Sequence, residues 1–261
     1  MKFLDKDQRI AEIDGMRGLA IVMVLLWHYG NIVQAVPGSA LAYGLRSLAL
    51  MWSGVDLFFV LSGFLIGGIL LDQRSGASYF RTFYIRRVCR IFPLYFLCLT
   101  VFVLALYLVP VTHEGRWKWL LGNPMPLWSY ATFTQNFMMA QANDHGAGFM
   151  SVTWSLAIEE QFYLLLPFVI RYVPQALLKK LIFALVLAAP LLRVVIHLTG
   201  DHRELANYVL LPARWDALLL GVAIALAVRD ELAMKWLRRH QRWIPRAAVA
   251  MGLTLLPLHL L

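Results

Sequence analysis

Long apolar stretches recur along this chain and constrain its fold more than any other feature. A stretch of about 20 mostly apolar residues is long enough to cross a bilayer as a helix. Hydrophobic residues make up 60% of the 261 residues and charged residues only 15%, whereas soluble domains carry about 25% charged residues. This composition excludes an ordinary soluble domain, a disordered chain and a secreted disulfide scaffold. The expected fold is therefore an all-α, polytopic bundle of membrane helices.

The apolar stretches predict about seven membrane-spanning helices in one membrane domain, residues 1–261. The charged, mildly amphipathic segment 1–13 is expected on the membrane surface. Residues 110–152 form one long connection, rich in Pro, Trp, Asn and Gly, with an interfacial or re-entrant piece around 117–139; an eighth span there is the less favoured alternative. The predicted spans are residues 14–34, 48–71, 88–109, 153–173, 181–199, 207–228 and 244–261.

Basic residues are concentrated in alternate connections between the predicted spans. Cytoplasmic loops of membrane proteins carry an excess of Lys and Arg, so this bias predicts a cytoplasmic N-terminus. The net charge of +9 then reports topology, and nucleic acid is not an expected partner. The cytoplasmic side would hold Lys2, Lys6, Arg9, Arg17, Arg74, Arg81, Arg86, Arg87, Arg90, Arg171, Lys179, Lys180, Arg229, Lys235, Arg238, Arg239, Arg242 and Arg246, and the outer side only Arg46, Arg116, Lys118 and Arg203.

Ionisable side chains interrupt five of the predicted spans. Such groups are rare within a bilayer and mark functional sites or buried pairs. From the helical rise per residue, we expect them in one layer, about 9–12 Å below the outer surface. A layer that contains a histidine favours a reaction or transport site, and the alternative is a set of ion pairs such as Asp56 with Arg193. The residues are His28, Asp56, Glu159, Arg193, Arg214 and the slightly deeper Asp216.

Helical spacing places several polar residues on common faces. Arg17 and His28 are eleven residues apart, so at about 100° per residue they face the same way at two depths. Ser155 and Glu159 share a face because they are four residues apart. Glu160 points about 100° away from Glu159 and is not expected to have the same role.

Two short patterns have both a structural and a functional interpretation. The segment Arg86, Arg87 and Arg90 is predicted where the third span leaves the cytoplasm. It either anchors the span or clamps phosphates, which Arg binds with two parallel hydrogen bonds. Gly63 and Gly67 form a small-xxx-small pattern, which predicts close packing of the second span against another helix.

Four motifs follow one another along the chain: Arg17-x10-His28, the segment 55–66, Arg87-x-x-Arg90 and Ser155-x-x-x-Glu159-Glu160-Gln161-Phe162-Tyr163. In this order they resemble the motifs of the bacterial membrane acyltransferase family 3, the O-acetylating enzymes of O-antigen and other surface glycans. The matching segments are 13–28, 55–66, 87–95 and 154–163, and the segments 133–137 and 214–217 also have counterparts in the family. The family usually has about ten membrane helices, so a chain with seven is expected to be C-terminally short.

The resemblance implies an acyltransferase of the bacterial cytoplasmic (inner) membrane. Its donor would be acyl-CoA, usually acetyl-CoA, and its acceptor a hydroxyl of a carbohydrate, commonly lipid-linked. No metal is expected, since no Cys/His spacing in the sequence resembles a zinc site. Interpreted through the motifs, His28 would be the general base, with Glu159 to orient it or stabilise its charged form. Arg87 and Arg90, with Arg86 and Arg17, would hold the CoA phosphates, Arg214 would stabilise the oxyanion, and Asp56, Ser155, Glu160 and Asp216 would support the site.

Two other functions remain open at this stage. A proton-coupled transporter would use His28, Asp56 and Glu159 as a proton relay and would need no CoA. A truncated, inactive family member is the second alternative.

Overall fold

In the computed structural model, residues 11–30, 33, 39–109, 115–199 and 204–247 are described, and they contain helices and connections but no β-strand. The predicted all-α class of membrane helix bundle is therefore confirmed. In chain order the helices are α1 (Ala11–Gly30), α2 (Ala40–Ser47), a 3-10 helix (Leu48–Ser53), α3 (Gly54–Asp72), α4 (Tyr79–Leu108), α5 (Arg116–Leu121), α6 (Leu127–Ala131), α7 (Gln135–Ala142), α8 (Gly148–Ser151), α9 (Trp154–Tyr172), α10 (Gln175–Thr199), α11 (Glu204–Val209), α12 (Leu211–Ala227) and α13 (Glu231–His240).

Four of the described helical segments are long and apolar enough to cross a membrane. They are Leu50–Asp72, Tyr79–Leu108, Gln175–Thr199 and Glu204–Ala227, and they correspond to the predicted spans 48–71, 88–109, 181–199 and 207–228.

Two further predicted spans, 14–34 and 153–173, are occupied by the long helices α1 and α9. Neither is among the four candidates, because charged residues interrupt their apolar sequence. The predicted span 244–261 and the surface segment 1–13 lie mostly outside the described residues.

The chain forms two compact units. The terminal unit comprises Met1–Gly68 with Leu220–Leu261, and the central unit is Ile69–Leu219.

Glycines bring the helices of the terminal unit into close contact. At Gly221 of α12, an added Cβ atom would overlap the backbone carbonyl oxygen of Val60 on α3. At Gly67 it would lie 3.1 Å from Val222, tighter than nearly all real contacts. At Gly54 it would lie 2.8 Å from the carbonyl oxygen of Ala20 on α1. The close packing predicted from the glycine pattern of the second span is confirmed.

The central unit is organised around α4 and α9. The Tyr79 hydroxyl donates to the carbonyl oxygen of Pro167 (3.0 Å), and the Tyr84 hydroxyl donates to that of Leu164 (2.9 Å). Helix α4 has 30 residues, about 45 Å, which exceeds the roughly 30 Å hydrocarbon core of a bilayer.

The structure corrects the predicted start of the third span, residue 88. Helix α4 begins at Tyr79. The segment Arg86, Arg87 and Arg90 therefore lies inside the helix, around its third turn, and not at the point where the helix begins. Arginine is a good helix former, and its long side chain can carry the charge away from an apolar helix surface. Apolar length alone therefore predicts a start for this helix that is too late in the sequence.

Candidate functional site

Helix α1 holds Arg17 and His28 on one continuous helix, as predicted. Arg17 is half-buried and makes an ion pair with Asp14 one turn earlier (3.5 Å). His28 is exposed, and its ring meets that of Trp27 edge-on, with centroids 4.8 Å apart. Ala20 is the one buried residue of α1, at the point where Gly54 lets α3 approach it.

The imidazole of His28 is held by its own helix. Its Nδ1 lies 2.8 Å from the backbone carbonyl oxygen of Val24. A carbonyl oxygen only accepts hydrogen bonds, so in the neutral imidazole Nδ1 carries the proton and Nε2 keeps its lone pair. In this tautomer of an exposed side chain, Nε2 can accept a proton, which is what a general base requires.

Asp56 lies in the first turn of α3, half-buried and directly after the 3-10 helix. The ion pair that we considered for it, with Arg193, would join residues of the two different units and stays a prediction.

The central unit brings Arg87 of α4 to the acidic residues of α9. The Arg87 guanidinium lies over the Tyr163 ring, 5.7 Å from its centroid. It interacts electrostatically with both Glu160 and Glu159. Glu159 is buried, with 6% of its surface exposed, and Glu160 is half-buried. The acidic pair and this arginine therefore belong to one cluster, although we expected Arg87 at the cytoplasmic mouth and Glu159 deep in the outer half.

The other two arginines of the segment, Arg86 and Arg90, are exposed on α4. Ser155, on the exposed side of the first turn of α9, donates its hydroxyl to the backbone carbonyl of Val152 (3.3 Å). Ser hydroxyls often bond nearby backbone carbonyls in this way, and the supporting role of Ser155 stays a prediction.

Buried amides fix the loop before α9, and sequence reasoning missed them. Gln161 and Asn136 exchange two hydrogen bonds through their side-chain amides, at 2.8 and 3.3 Å. Gln161 also donates to the carbonyl of Phe133 (2.9 Å), and Asn136 donates to that of Val209 (3.0 Å). Phe133 has a φ of 55°, a left-handed conformation that bulky side chains rarely adopt.

A second pair of amide hydrogen bonds connects Gln135, which is fully buried, to Thr153 just before α9. The sequence did contain an indication of the buried amides of Gln135 and Asn136. Polar Gln and Asn inside an apolar segment must find partners in the protein, because lipid offers none.

The side chains of Arg214, Trp215 and Asp216 contact three different neighbours. Arg214 is buried, and its guanidinium lies 5.3 Å from the ring centroid of Tyr208. Trp215 donates to the carbonyl oxygen of Leu185 (2.9 Å). Asp216 accepts a hydrogen bond from Arg193 in an ion pair of 2.8 Å between α10 and α12.

The structure thus places Arg17 and His28 on one helix, as predicted. It also brings together two groups that the sequence alone did not pair, Arg87 with Glu159 and Glu160, and Arg193 with Asp216. Arg17 and His28 are in the terminal unit and the other two groups are in the central unit, so the common layer stays a prediction. Within the residues described here, no three His, Cys, Asp or Glu side chains are grouped so that they could hold a metal ion.

Taken together, the described residues form a helical, membrane-type domain with an exposed histidine and an arginine–carboxylate cluster. Comparison with known families matches residues 10–260 to an acyltransferase domain. The chain therefore belongs to acyltransferase family 3, and the class of enzyme predicted from the motifs, an O-acyltransferase domain, is confirmed.

Two relatives illustrate the match. The chain is 29% identical over 226 residues to O-acetyltransferase OatA of Staphylococcus aureus, covering 82% of this chain and 34% of the relative. It is 32% identical over 226 residues to peptidoglycan O-acetyltransferase OatA of Listeria monocytogenes, covering 83% and 33%. The chain thus spans about a third of the length of these curated relatives. No solved structure matches it.

Proposed function

We propose that this chain transfers an acyl group, normally acetyl, from acyl-CoA to a hydroxyl of a surface or lipid-linked carbohydrate. The observation that carries the proposal is the Nδ1–Val24 hydrogen bond of His28, which leaves Nε2 free as a base in a chain of an acyltransferase family. The name of the Listeria relative, a peptidoglycan O-acetyltransferase, supports a carbohydrate acceptor.

In the proposed reaction, Nε2 of His28 removes the proton of the acceptor hydroxyl as its oxygen attacks the thioester carbonyl carbon. The carbon–sulfur bond then breaks, and the CoA thiolate leaves and takes up the proton from the imidazolium. The acceptor gains the acyl ester, and His28 returns to its neutral form. Arg214 is our candidate for stabilising the oxyanion of the tetrahedral intermediate.

Glu159 would act on the charged form of His28. Because the Val24 carbonyl already holds Nδ1, a carboxylate is not needed to select the tautomer. Its remaining role is to stabilise the imidazolium that forms during the reaction, as the acid of a catalytic triad does. Asp56, Ser155, Glu160 and Asp216 stay in supporting roles.

The exposed arginines of α4 would bind the donor. Arg86 and Arg90 can approach CoA phosphates from solvent, whereas Arg87 is half-buried and engaged with the carboxylates of α9. Arg87 would then position the acidic pair as well as add positive charge for the phosphates. The bias of basic residues supports a cytoplasmic N-terminus in a bacterial inner membrane, where CoA is available.

Thermal unfolding of the purified full chain with acetyl-CoA separates this proposal from a transporter. We expect acetyl-CoA to raise the unfolding temperature, because a ligand that binds only the folded state stabilises it. The Arg90→Ala variant should lose most of this shift, and Arg81→Ala, an exposed arginine on the same helix outside the motif, should keep it. No shift with acetyl-CoA would contradict the proposal and favour a function without CoA.

A further inference from the structure

Helix α13 begins directly after the segment Glu204–Ala227, formed by α11 and α12, which is long and apolar enough to span a membrane. Helix α12 ends at Ala227, and α13 begins at Glu231. The carboxylate of Asp230 caps α13 by accepting from the backbone N–H groups of Leu232 (3.0 Å) and Ala233 (3.1 Å). The intervening residues can span at most about 10 Å. If α12 crosses the bilayer, α13 therefore starts at the level of the lipid headgroups.

The turn between α12 and α13 is also tied to a neighbouring helix. The guanidinium of Arg229 donates to the carbonyl oxygens of Ala225 on α12 (2.7 Å) and Gly68 on α3 (3.2 Å). Two anchors on helix backbones restrict how far the start of α13 can move away from the end of α12.

The two faces of α13 differ in chemistry. At about 100° per residue, Leu232, Ala233, Trp236 and Leu237 fall on one side of the helix. Lys235 and Arg238 lie on the other side, and Arg239 lies at its border, about 20° from Leu232. All three side chains are exposed. No residue of α13 is buried.

Large apolar side chains stay exposed beside these basic residues. Leu232 is 77% exposed and Trp236 is 57% exposed. The same pattern continues after α13, where Trp243 is 64% exposed and the guanidinium of Arg246 lies 5.3 Å from its ring centroid. Exposed tryptophans next to arginines are typical of segments that lie in the headgroup region of a membrane.

We propose that the segment 231–247 lies along the membrane surface and binds the headgroups of anionic phospholipids. The binding surface consists of Lys235, Trp236, Arg238, Arg239, Arg242 and Trp243, which we name the basic tryptophan surface. Its arginines and lysine would contact lipid phosphates, and its two indoles would enter the boundary with the acyl chains. Charge complementarity and the position at the end of a membrane-spanning helix favour this partner over a nucleic acid or a soluble protein.

Lipid titration of the purified full chain in detergent, followed by native mass spectrometry, tests the proposal. We expect phosphatidylglycerol to bind more tightly than phosphatidylcholine with the same acyl chains. In the double variant R238E/R239E the affinity for phosphatidylglycerol should fall at least about thirtyfold, since each basic side chain near an anionic surface contributes about fivefold. The affinity for phosphatidylcholine should not change.

The double variant K179E/K180E is the matched control. Lys179 and Lys180 are also adjacent and exposed, near the start of the membrane-spanning helix α10. This variant has the same change of charge and should keep the preference for phosphatidylglycerol. An equal loss in both variants, or no preference in the wild type, would overturn the proposal. Competition by inorganic phosphate as strong as that by the lipid would also overturn it.

Quenching of tryptophan fluorescence tests the role of the indoles separately. In nanodiscs that contain phosphatidylglycerol brominated on its acyl chains, quenching should be smaller in W236F/W243F than in the wild type. Equal quenching in the two proteins would show that these indoles do not reach the lipid and would overturn the proposed orientation.

Discussion

The two compact units hold their helices together by different means. In the terminal unit the contacts depend on missing side chains, at Gly54, Gly67 and Gly221, where helices touch backbone to backbone. In the central unit they depend on paired side-chain amides, chiefly those of Gln161, which is half-buried, and Asn136, which is fully buried. Close packing without polar groups suits helices in an apolar solvent, where van der Waals contact drives association. A network of amides suits the irregular segment before α9, whose backbone needs partners that lipid does not offer.

The largest stability effect is expected at the closest contact of the terminal unit. The Gly221→Val variant would force side-chain atoms into the backbone of α3, and we expect a loss of about 3 kcal/mol or more in the free energy of unfolding. Gly18→Val on α1 is the control, because nothing lies within 4 Å of a Cβ atom there. Chemical unfolding in micelles measures both variants. Similar losses in the two variants would mean that close approach is not what makes Gly221 necessary.

The matching variant in the central unit is Gln161→Leu. It removes a half-buried amide and leaves the Phe133 carbonyl and the buried Asn136 with unmet hydrogen bonds, which should destabilise the protein by about 1–3 kcal/mol. Gln141→Leu, an exposed amide on α7, should have little effect. A double-mutant cycle with Asn136→Leu should show coupling of at least about 0.5 kcal/mol. Strict additivity would disprove the direct amide pair.

A smaller difference is expected between the ion pairs of the two units. Arg193 and Asp216 are joined at 2.8 Å with side chains 31% and 24% exposed. The pair of Arg17 with Asp14 is longer (3.5 Å) and lies within one helix. We expect Asp216→Asn to destabilise the protein by about 1 kcal/mol and Asp14→Asn by about 0.3 kcal/mol. The reverse order in unfolding measurements would contradict the roles assigned to the two pairs.

The smallest effect concerns pH and His145, which lies in the loop segment of the central unit. Burial lowers the pKa of its imidazole below the ordinary value of 6.5, and the nearby Asp144 opposes this only in part. The unfolded state therefore takes up the proton first as the pH falls. The contribution of His145 to stability is constant above about pH 6.5 and decreases at lower pH. His145→Gln should reduce the loss of stability between pH 7 and 5, and an unchanged pH profile would contradict this assignment.

The parts of the structure that depend on local sequence could be predicted, and those that depend on distant pairing could not. Four membrane helices and the glycine contact followed from apolar length and small-residue spacing. The position of Arg17 and His28 on one helix could also be predicted, because the helical pattern of the sequence is local. The pairing of Asn136 with Gln161 joins residues 25 positions apart through a loop with a left-handed Phe133. Helix spacing carries no information about such a loop.

The Arg193 ion pair shows the same difficulty for charged residues. From the sequence we considered only Asp56 as a partner, and it took the positions of α10 and α12 in the structure to show that Arg193 contacts Asp216. The amphipathic pattern of α13, by contrast, is local and could have been found from residues 231–240 alone. Its basic residues were interpreted only as an indication of topology.

The central claim is that the exposed Nε2 of His28 is the general base of acyl transfer. The most direct test is transfer of labelled acetyl from acetyl-CoA to cell-wall glycan by membranes that contain the full chain. His28→Ala should lower the rate at least about 100-fold and leave the unfolding temperature unchanged, because the His28 ring bonds to the backbone of its own helix. His240→Ala is the control, since His240 makes the same type of bond to Trp236 (2.9 Å) on α13, and it should keep full activity. A His28→Ala variant with near-normal acetyl transfer would contradict the account.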